Sequence, residues 1–311
     1  MRTPHLLSIV LLSSTVLLPG LAVSDDTVAA FSASSRVPAY FLEVPDSVTD
    51  ILLADTASAT MYRFVRSGEG MVEMDRRYMS IGLNGAGKQR AWDRKTPLGV
   101  YFITESLDTS KLHEKYGVAA YPLDYPNAWD RHMQRTGTGI WLHGVDRNNP
   151  DRPPLDTDGC LALLNEEISR LAGVLQPLVT PVIVAREVVW STRAELENAR
   201  LGFRLAFDAW KNSLATGDLQ TYLSLYADDF RYRDMDKSAW SAYRLGVFEA
   251  RALSGVNIDD VLLFADPEEP NLYLSRFTQV LLTDHGPVTT KKRLYWRRAD
   301  KHWEIVSEDS G

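Results

Sequence analysis

A histidine and the only cysteine of this sequence have the residue types and spacing for nucleophilic chemistry. Cys160 is unique among the 311 residues, and 16 residues lie between it and His143. The thiolate is the reactive form of cysteine, and little of a free thiol is ionised at neutral pH, so the sulfur needs a nearby base or positive charge. His143 can act as that base if the fold brings the two side chains within hydrogen-bond reach.

The residues that flank this pair suit the same chemistry. His143 ends the apolar run GIWLHG and precedes Gly144, at a strand end where a backbone carbonyl can orient the imidazole. Cys160 follows Gly159, where the chain can turn tightly and present backbone N–H groups. The N–H groups of Asp158, Gly159 and Cys160 are candidates for an oxyanion hole, in which losing one donor typically costs about 2.7–4 kcal/mol. A buried structural thiol is the alternative, but the polar stretch LDTDG before the cysteine argues against it.

Together these residues resemble the catalytic signature of L,D-transpeptidases of the YkuD type. That signature is His-Gly followed, after a spacer, by Ser/Thr-x-Gly-Cys, and it is matched here by His143 with Gly144 and by TDGC at 157–160. The segment KTPLGVYFIT at 95–104 resembles an upstream strand of the same family. The resemblance covers roughly residues 49–189.

The resemblance implies a mostly β catalytic domain that acts on peptidoglycan stem peptides without a metal or cofactor. Cys160 would attack the carbonyl at the L-centre of the third stem residue, and D-alanine would leave. His143, oriented by the Gly144 carbonyl, would accept the thiol proton and later protonate the leaving amine. The acyl-enzyme would then react with the amine of a second stem, giving a crosslink, or with water, giving a trimmed stem.

Two positions depart from the crosslinking members of the family. Asp158 stands where many carry histidine, and Ala162 stands where most carry arginine or asparagine. A small residue at this second position resembles the branch of cell-shape L,D-carboxypeptidases and peptidoglycan–protein amidases, which favours hydrolysis over crosslinking. Thr157 is a candidate to hydrogen-bond either its own loop or the substrate, and Tyr125 a candidate to line the peptide groove. The substrate carboxylate could be bound by any of three other cations: Lys95, Arg147 or Arg152.

The surrounding pattern indicates the elements that must position these residues. Short apolar runs across residues 49–189 predict a β-rich domain, and LNEEISRLAGVL predicts one helix capped by Asn165. Four acidic residues lie between 146 and 158, but they lack the glycine and glutamate positions of a calcium loop, so we expect a solvated loop and no metal site. The composition changes near residue 192, which we take as a domain boundary.

Residues 195–311 predict a second domain in which helices precede strands. A long amphipathic helix carries Phe203, Phe207 and Trp210 at core spacing, a second helix is expected over 219–230, and strands follow Gly255. Helices followed by an antiparallel sheet indicate the α+β class. This order resembles the cone-shaped SnoaL or nuclear-transport-factor-like domain, with a curved sheet, that follows the catalytic domain in the same branch.

The first 24 residues have the pattern of a secretory signal peptide, and residues 25–48 are interpreted as a lead-in segment. Arg2 precedes an apolar run at 6–18, and small residues stand at 22 and 24. We therefore expect an exported protein of the periplasm or cell envelope. An exported chain with one cysteine has no intramolecular disulfide. No later apolar run is long enough to span a bilayer, so stable membrane insertion is not expected.

The net charge argues against some classes of binding partner but does not identify one. Without its first 24 residues the chain loses Arg2, keeps 33 basic and 41 acidic side chains, and has a net charge of −8. This balance argues against a general binder of nucleic acid or anionic lipid. The aromatic and basic set at the end of the chain suggests that the second domain binds glycan or stem peptide, or forms a homodimer: Tyr295, Trp296, Arg297 and Trp303.

Three classes of function are compatible with the sequence. The first is a crosslinking transpeptidase. The second is a hydrolase, which is either an L,D-carboxypeptidase or an amidase that releases protein attached to the wall. The third is a wall-binding or assembly protein whose thiol is incidental. The His143 and Cys160 pair disfavours the third class.

Overall fold

The computed structural model describes residues 36–68, 70–250, 253–300 and 302–311. The predicted signal peptide and residues 25–35 of the lead-in segment lie outside these ranges. The α-helices are α1 (Ala128–His132), α2 (Asn165–Leu171), α3 (Arg193–Thr216), α4 (Leu219–Ser224) and α5 (Lys237–Ala250). The strands are β1 (Val37–Pro38), β2 (Phe41–Glu43), β3 (Asp50–Asp55), β4 (Thr60–Ser67), β5 (Gly70–Gly82), β6 (Gly99–Phe102), β7 (Ala120–Pro122), β8 (Trp141–His143), β9 (Leu155–Thr157), β10 (Leu161–Leu163), β11 (Pro181–Ala185), β12 (Trp190–Ser191), β13 (Tyr226–Tyr232), β14 (Met235–Asp236), β15 (Leu253–Ala265), β16 (Leu272–Thr283), β17 (Gly286–Ala299) and β18 (His302–Asp309).

The first domain is built on a mixed sheet. Its described strands follow the order β6-β11-β3-β4-β5-β10-β8-β7, and β9 pairs with β5. Every residue of β3 (DILLAD) and of β11 (PVIVA) is buried, as expected for nearly continuous apolar strands that are covered on both faces. Ile168 and Leu171 of α2 are fully buried in the same core as β8 and β10. Strands β8 and β10, which end at and begin just after the predicted reactive residues, therefore lie inside the sheet.

The second domain packs its helices against a sheet of order β14-β13-β18-β17-β16-β15-β2 among the described strands. Thr192 and Glu195 form a reciprocal capping box at the start of α3, close to the predicted boundary. The aromatic stripe of α3 is confirmed as core, because Phe203, Phe207 and Trp210 are fully buried. Register shifts in β15 and between β17 and β18 bend the sheet, as β-bulges do.

The helix predicted over residues 219–230 is wrong in its second half. Helix α4 ends at Ser224, and β13 follows directly. Tyr226 pairs with Ile305 of β18, and the Ile305 N–H donates to the Leu225 carbonyl at 2.6 Å. Tyr226 and Phe230 are buried there. Pairing with a distant strand, which a local pattern cannot show, overrides the helical spacing.

Part of the lead-in segment belongs to the second domain. Strand β2 forms the edge of the second sheet, with Phe41 opposite Phe264 on β15. The Phe41 ring contacts Phe64 of the first domain at a centroid distance of 5.1 Å and Phe264 at 5.9 Å. Strand β1 pairs with β12, just before α3. The chain thus contributes to the second sheet before it builds the first domain.

One apolar cluster joins the two domains. It includes Ile51 and Phe102 of the first domain and Leu274 and Tyr295 of the second. The fold is therefore the expected one, a mostly β catalytic-type domain followed by an α+β domain with a curved sheet. No helix in the described ranges is long and apolar enough to cross a membrane.

Candidate active site

His143 ends β8, and Cys160 immediately precedes β10, the parallel neighbour of β8. Leu161 of β10 is opposite Leu142 of β8, and Ala162 is opposite His143. Side chains alternate along a strand and opposite residues share a face, so Ala162 and His143 point to the same side. Cys160 lies two residues before Ala162, so the same alternation places its side chain on that side as well. Cys160 and His143 are thus diagonal neighbours on one face of the sheet.

His143 is held as a neutral base. Its Nδ1 lies 2.5 Å from the Gly144 carbonyl oxygen, which can only accept, so Nδ1 carries the proton and Nε2 keeps its lone pair. Burial lowers the pKa of His143 to about 4, the Gly144 bond opposes this shift, and the charges of Arg152 and Lys115 add to it. The imidazole is consequently uncharged at neutral pH and can accept a proton.

Asn165 fixes the backbone around Gly144. The Val118 N–H donates to its Oδ1 at 3.2 Å, and its Nδ2 donates to the Val145 carbonyl at 2.9 Å. A Cβ at Gly144 would lie 2.3 Å from the Asn165 Oδ1, so only glycine permits this approach. The prediction that Asn165 caps α2 is wrong, because Leu164 is the cap and makes no side-chain bond there. The amide instead positions the segment that orients His143.

The turn before Cys160 is closed by Thr157. The Thr157 hydroxyl donates to the Cys160 carbonyl at 2.7 Å and accepts from the Gly159 N–H at 3.1 Å. Gly159 has a φ of +124°, and a Cβ there would lie 2.7 Å from the Lys95 carbonyl oxygen. The Gly159 N–H, a predicted oxyanion-hole donor, is thereby used within the turn. The N–H groups of Asp158 and Cys160 are left as the candidate donors.

The Cys160 thiol is protonated at rest. Burial raises its pKa, and the neighbouring Asp158 carboxylate adds to the rise, whereas the Trp141 N–H and the charge of Lys115 oppose it. The sulfur lies 3.5 Å from the Gly139 carbonyl, to which the thiol donates. The lowered pKa of His143 and the raised pKa of Cys160 both favour the uncharged forms, so the resting pair is a thiol and an imidazole. Attack on a substrate therefore requires transfer of the thiol proton.

Several predicted substrate contacts have other roles in the fold. Tyr125 is buried, and its hydroxyl donates to the Thr136 carbonyl at 3.1 Å, so it packs in the core and does not line an open groove. The Arg152 Nε lies 2.9 Å from Asp156 Oδ2 in an ion pair. Lys95 contributes its carbonyl to the wall around Gly159.

The remaining predicted contacts are exposed. Arg147 lies on the surface of the turn after β8. Asp158 also extends into solvent, where its Oδ1 lies 3.5 Å from the Arg94 Nε. An exposed pair of this kind contributes little to stability. Neither side chain is tied to the His143 and Cys160 pair by a direct contact in the described ranges.

Sequence reasoning missed an aromatic group beside His143. The Tyr116 ring lies edge-on to the imidazole, with centroids 5.2 Å apart, and contacts the Trp141 ring at 4.6 Å. The Lys115 ammonium lies 5.1 Å from the Tyr116 centroid. Lys115 and Tyr116 belong to the 3₁₀ turn Glu114–Tyr116, which has no apolar periodicity. Gly117, which follows this turn and has a φ of +68°, is the residue of the sequence that could have indicated an unusual backbone conformation there.

The aromatic set proposed for ligand binding in the second domain is mostly core. Tyr295 and Trp296 are buried, and the Trp296 Nε1 donates to Ser275. Arg297 is paired with Asp229 and Glu304, and Trp303 stacks on Phe203 with centroids 5.0 Å apart. Tyr295 and Trp296 therefore support the sheet from its core, and Trp303 is half-buried against it. Self-association through this domain stays a prediction.

Comparisons with known proteins agree with this architecture. Residues 49–184 match the L,D-transpeptidase catalytic domain YkuD, and residues 203–309 match the Cds6 C-terminal NTF2-like domain. The fold is similar to that of Bd1075 from Bdellovibrio bacteriovorus, at 22% identity and a TM-score of 0.75 over 89% of this chain and 98% of that one. It is also similar to Pgp2 from Campylobacter jejuni, a helical cell shape determining protein, at 22% identity and a TM-score of 0.73 over 92% of this chain and 99% of that one.

The search of curated proteins gave no match. The two domain matches follow each other in the order seen in the structure, the first covering both His143 and Cys160 and the second beginning within α3. The chain therefore combines an L,D-transpeptidase catalytic domain of the YkuD type at residues 49–184 with an NTF2-like domain at residues 203–309.

Proposed function

We propose that this protein is a peptidoglycan-modifying cysteine enzyme that acts as an L,D-carboxypeptidase on stem peptides. The observation that carries the proposal is the parallel register of β8 and β10, which gives His143 and Cys160 one face of adjacent strands. The family match supports the substrate class. Such a substrate lies in the cell envelope, which agrees with the export predicted for the N-terminal segment.

The uncharged resting pair determines the first step. Nε2 of His143 accepts the thiol proton as the sulfur attacks the carbonyl carbon at the L-centre of the third stem residue. The oxyanion is stabilised by the N–H groups of Cys160 and Asp158. The imidazolium then gives its proton to the amine nitrogen, the C–N bond breaks, and D-alanine leaves a thioester on Cys160.

The second step returns the enzyme to its starting state. His143 accepts a proton from water as the water oxygen attacks the thioester, and it returns that proton to the departing sulfur. The product is a tripeptide stem with a free carboxylate. Ala162 supports this route over crosslinking, because a methyl group opposite His143 supplies no charge or hydrogen bond to hold a second stem.

Incubation of residues 25–311 with disaccharide tetrapeptides, followed by mass spectrometry of the products, tests this function. Cys160→Ala and His143→Ala should abolish product formation, and His285→Ala, at a histidine that is 88% exposed, should leave it unchanged. Tripeptides without dimers are expected. Dimers joined between two third residues would make the protein a transpeptidase. Products that persist in Cys160→Ala would exclude the cysteine mechanism.

A further inference from the structure

The residue opposite His143 supplies no positive charge to the active site. Ala162 fills that position with a methyl group. A tetrapeptide stem carries a C-terminal carboxylate one residue beyond the scissile carbonyl, so a positive charge close to both reactive residues would select it. In the described part of the chain, the cations whose charge acts on the pKa of Cys160 or His143 are Lys88, Lys115 and Arg152.

Two of these cations already have carboxylate partners. The Lys88 ammonium is buried and lies 2.7 Å from Asp93 Oδ1, and the Arg152 guanidinium is paired with Asp156. Lys115 is exposed and is the one that acts on both reactive residues. Within the described ranges its ammonium contacts an aromatic ring and pairs with no carboxylate. It is the cation of this group that remains available to a ligand.

The backbone holds Lys115 firmly beside the reactive histidine. The Gly144 N–H donates to the Tyr116 carbonyl at 3.1 Å, which joins the 3₁₀ turn to the end of β8. The Lys115 N–H donates to Nδ1 of His113, which caps the turn, at 3.2 Å. A Cβ at Gly117 would lie 2.7 Å from backbone atoms of Gly144, so the two segments are in direct contact. The lysine side chain is thus presented from a fixed base, over a ring that itself contacts His143.

We infer that Lys115 binds the C-terminal carboxylate of the stem peptide and so makes the enzyme an exopeptidase. An ammonium over an aromatic face remains free to pair with an anion on its other side. The charge would hold the leaving D-alanine so that the scissile carbonyl meets the sulfur. Peptides extended or blocked at the fourth residue would lose this contact. The inference rests on the proposed function and adds the residue that selects its substrate.

The test compares two substrates and four forms of the full mature chain. The substrates are a disaccharide tetrapeptide with a free terminal carboxylate and the same compound with a terminal amide. The proteins are wild type, Lys115→Met, Lys115→Arg and the control Lys111→Met, which alters an exposed lysine of the same segment that pairs with Asp108. The readout is kcat/KM for release of the fourth residue.

We expect Lys115→Met to lower kcat/KM about 10- to 100-fold on the carboxylate substrate, mainly through KM, and less than about twofold on the amide. Lys115→Arg should retain most activity, and Lys111→Met should match wild type. Equal losses on both substrates, or no loss on either, would overturn the inference. A loss that disappears only when the side-chain carboxyl of the third residue is amidated would assign Lys115 to that carboxyl and would also overturn it.

A binding measurement separates this inference from the proposed function. Cys160→Ala protein should bind the carboxylate tetrapeptide more tightly than the amide, and adding Lys115→Met should remove the difference. If wild type shows no turnover but this preference is present, the proposed reaction fails and the carboxylate site stands. If turnover is present but the preference is absent, the reaction stands and the role of Lys115 fails.

Discussion

The guanidinium of Arg293 on β17 lies 2.5 Å from a carboxylate oxygen of the half-buried Asp124, so an ion pair of a buried arginine joins the second domain to the first. The same guanidinium makes a two-point contact with Asp309, at 2.7 and 2.8 Å. Arg293 is only 5% exposed. Asp124 also accepts from the Phe102 N–H, at the end of β6 in the catalytic domain. The second sheet therefore helps to hold the framework of the active site.

Arg293→Met should destabilise the protein by about 3–5 kcal/mol, because it leaves two carboxylates without their buried partner. Arg297→Met on the same strand is the matched control, since its ion pairs are more exposed, and it should cost less than about 1 kcal/mol. Urea unfolding followed by fluorescence measures both. A single transition is expected for the two domains, which share one core. Equal effects of the two variants would contradict the structural role of the Arg293 pair.

Gly159→Ala should abolish most activity and lower stability by about 1–3 kcal/mol, because the positive φ and the nearby Lys95 carbonyl exclude a side chain. The turn would have to open, which would displace Cys160. Gly173→Ala is the control, since no atom of the described ranges lies within 4 Å of a Cβ at that position. Thermal unfolding and the tetrapeptide assay report the two effects. A Gly159→Ala protein with normal activity would show that the turn is not needed.

The sequence motif predicted the reactive pair because the chemistry depends on a few residues close together in the chain. His143 with Gly144, and Thr157 to Cys160, are short segments whose residue types have few other uses. The Nδ1 contact to the Gly144 carbonyl was expected and is present. The motif alone could not predict that β8 pairs with β10, because strand pairing depends on contacts between residues that are distant in the sequence.

The parts that sequence reasoning missed are long-range. Asn165 had the pattern of a helix cap. The segments of Gly117 and Gly144 approach closely, however, and the Asn165 amide lies between them and bonds to the backbone there. Strand β2 is too short to show a period, and its partner lies more than 200 residues later. The position of Lys115 over Tyr116 likewise follows from tertiary packing. The spacing of residues in the sequence therefore could not identify Lys115 as the cation beside the active site.

Asn165→Asp should lower kcat with little change in KM, because the bond to the Val145 carbonyl would be lost and the segment that orients His143 would shift. Ser169→Ala on the same helix is the control, since among the described residues that hydroxyl bonds to the Asn165 carbonyl one turn earlier and to no other group. Steady-state kinetics on the tetrapeptide separates the two constants. An effect on KM alone would assign Asn165 to substrate binding and contradict the positioning role.

The pH dependence of kcat/KM should show its acid limb near pH 4, where His143 becomes protonated in the free enzyme. Below that pH the rate should fall about tenfold per unit. The pKa of His143 is lower in the folded chain than its usual 6.5, so stability is also lost as the pH falls from about 6.5 towards 4. Circular dichroism at each pH must therefore show that the chain is folded. An acid limb near 6.5 would contradict a buried neutral base.

Alkylation of Cys160 by iodoacetamide should be slow at neutral pH. It should accelerate as the pH rises past the ordinary pKa of a cysteine thiol. The physical reason is that burial raises the pKa of Cys160, so little thiolate exists in the folded chain. The chain has one cysteine, so mass spectrometry reads a single adduct. Asp158→Asn should accelerate the reaction slightly, because the Asp158 charge opposes ionisation, whereas Asp151→Asn should not. If the folded chain reacts much faster than the urea-unfolded chain at neutral pH, and its rate hardly changes as the pH rises, the thiol is already ionised, and attack would start from a thiolate and imidazolium pair.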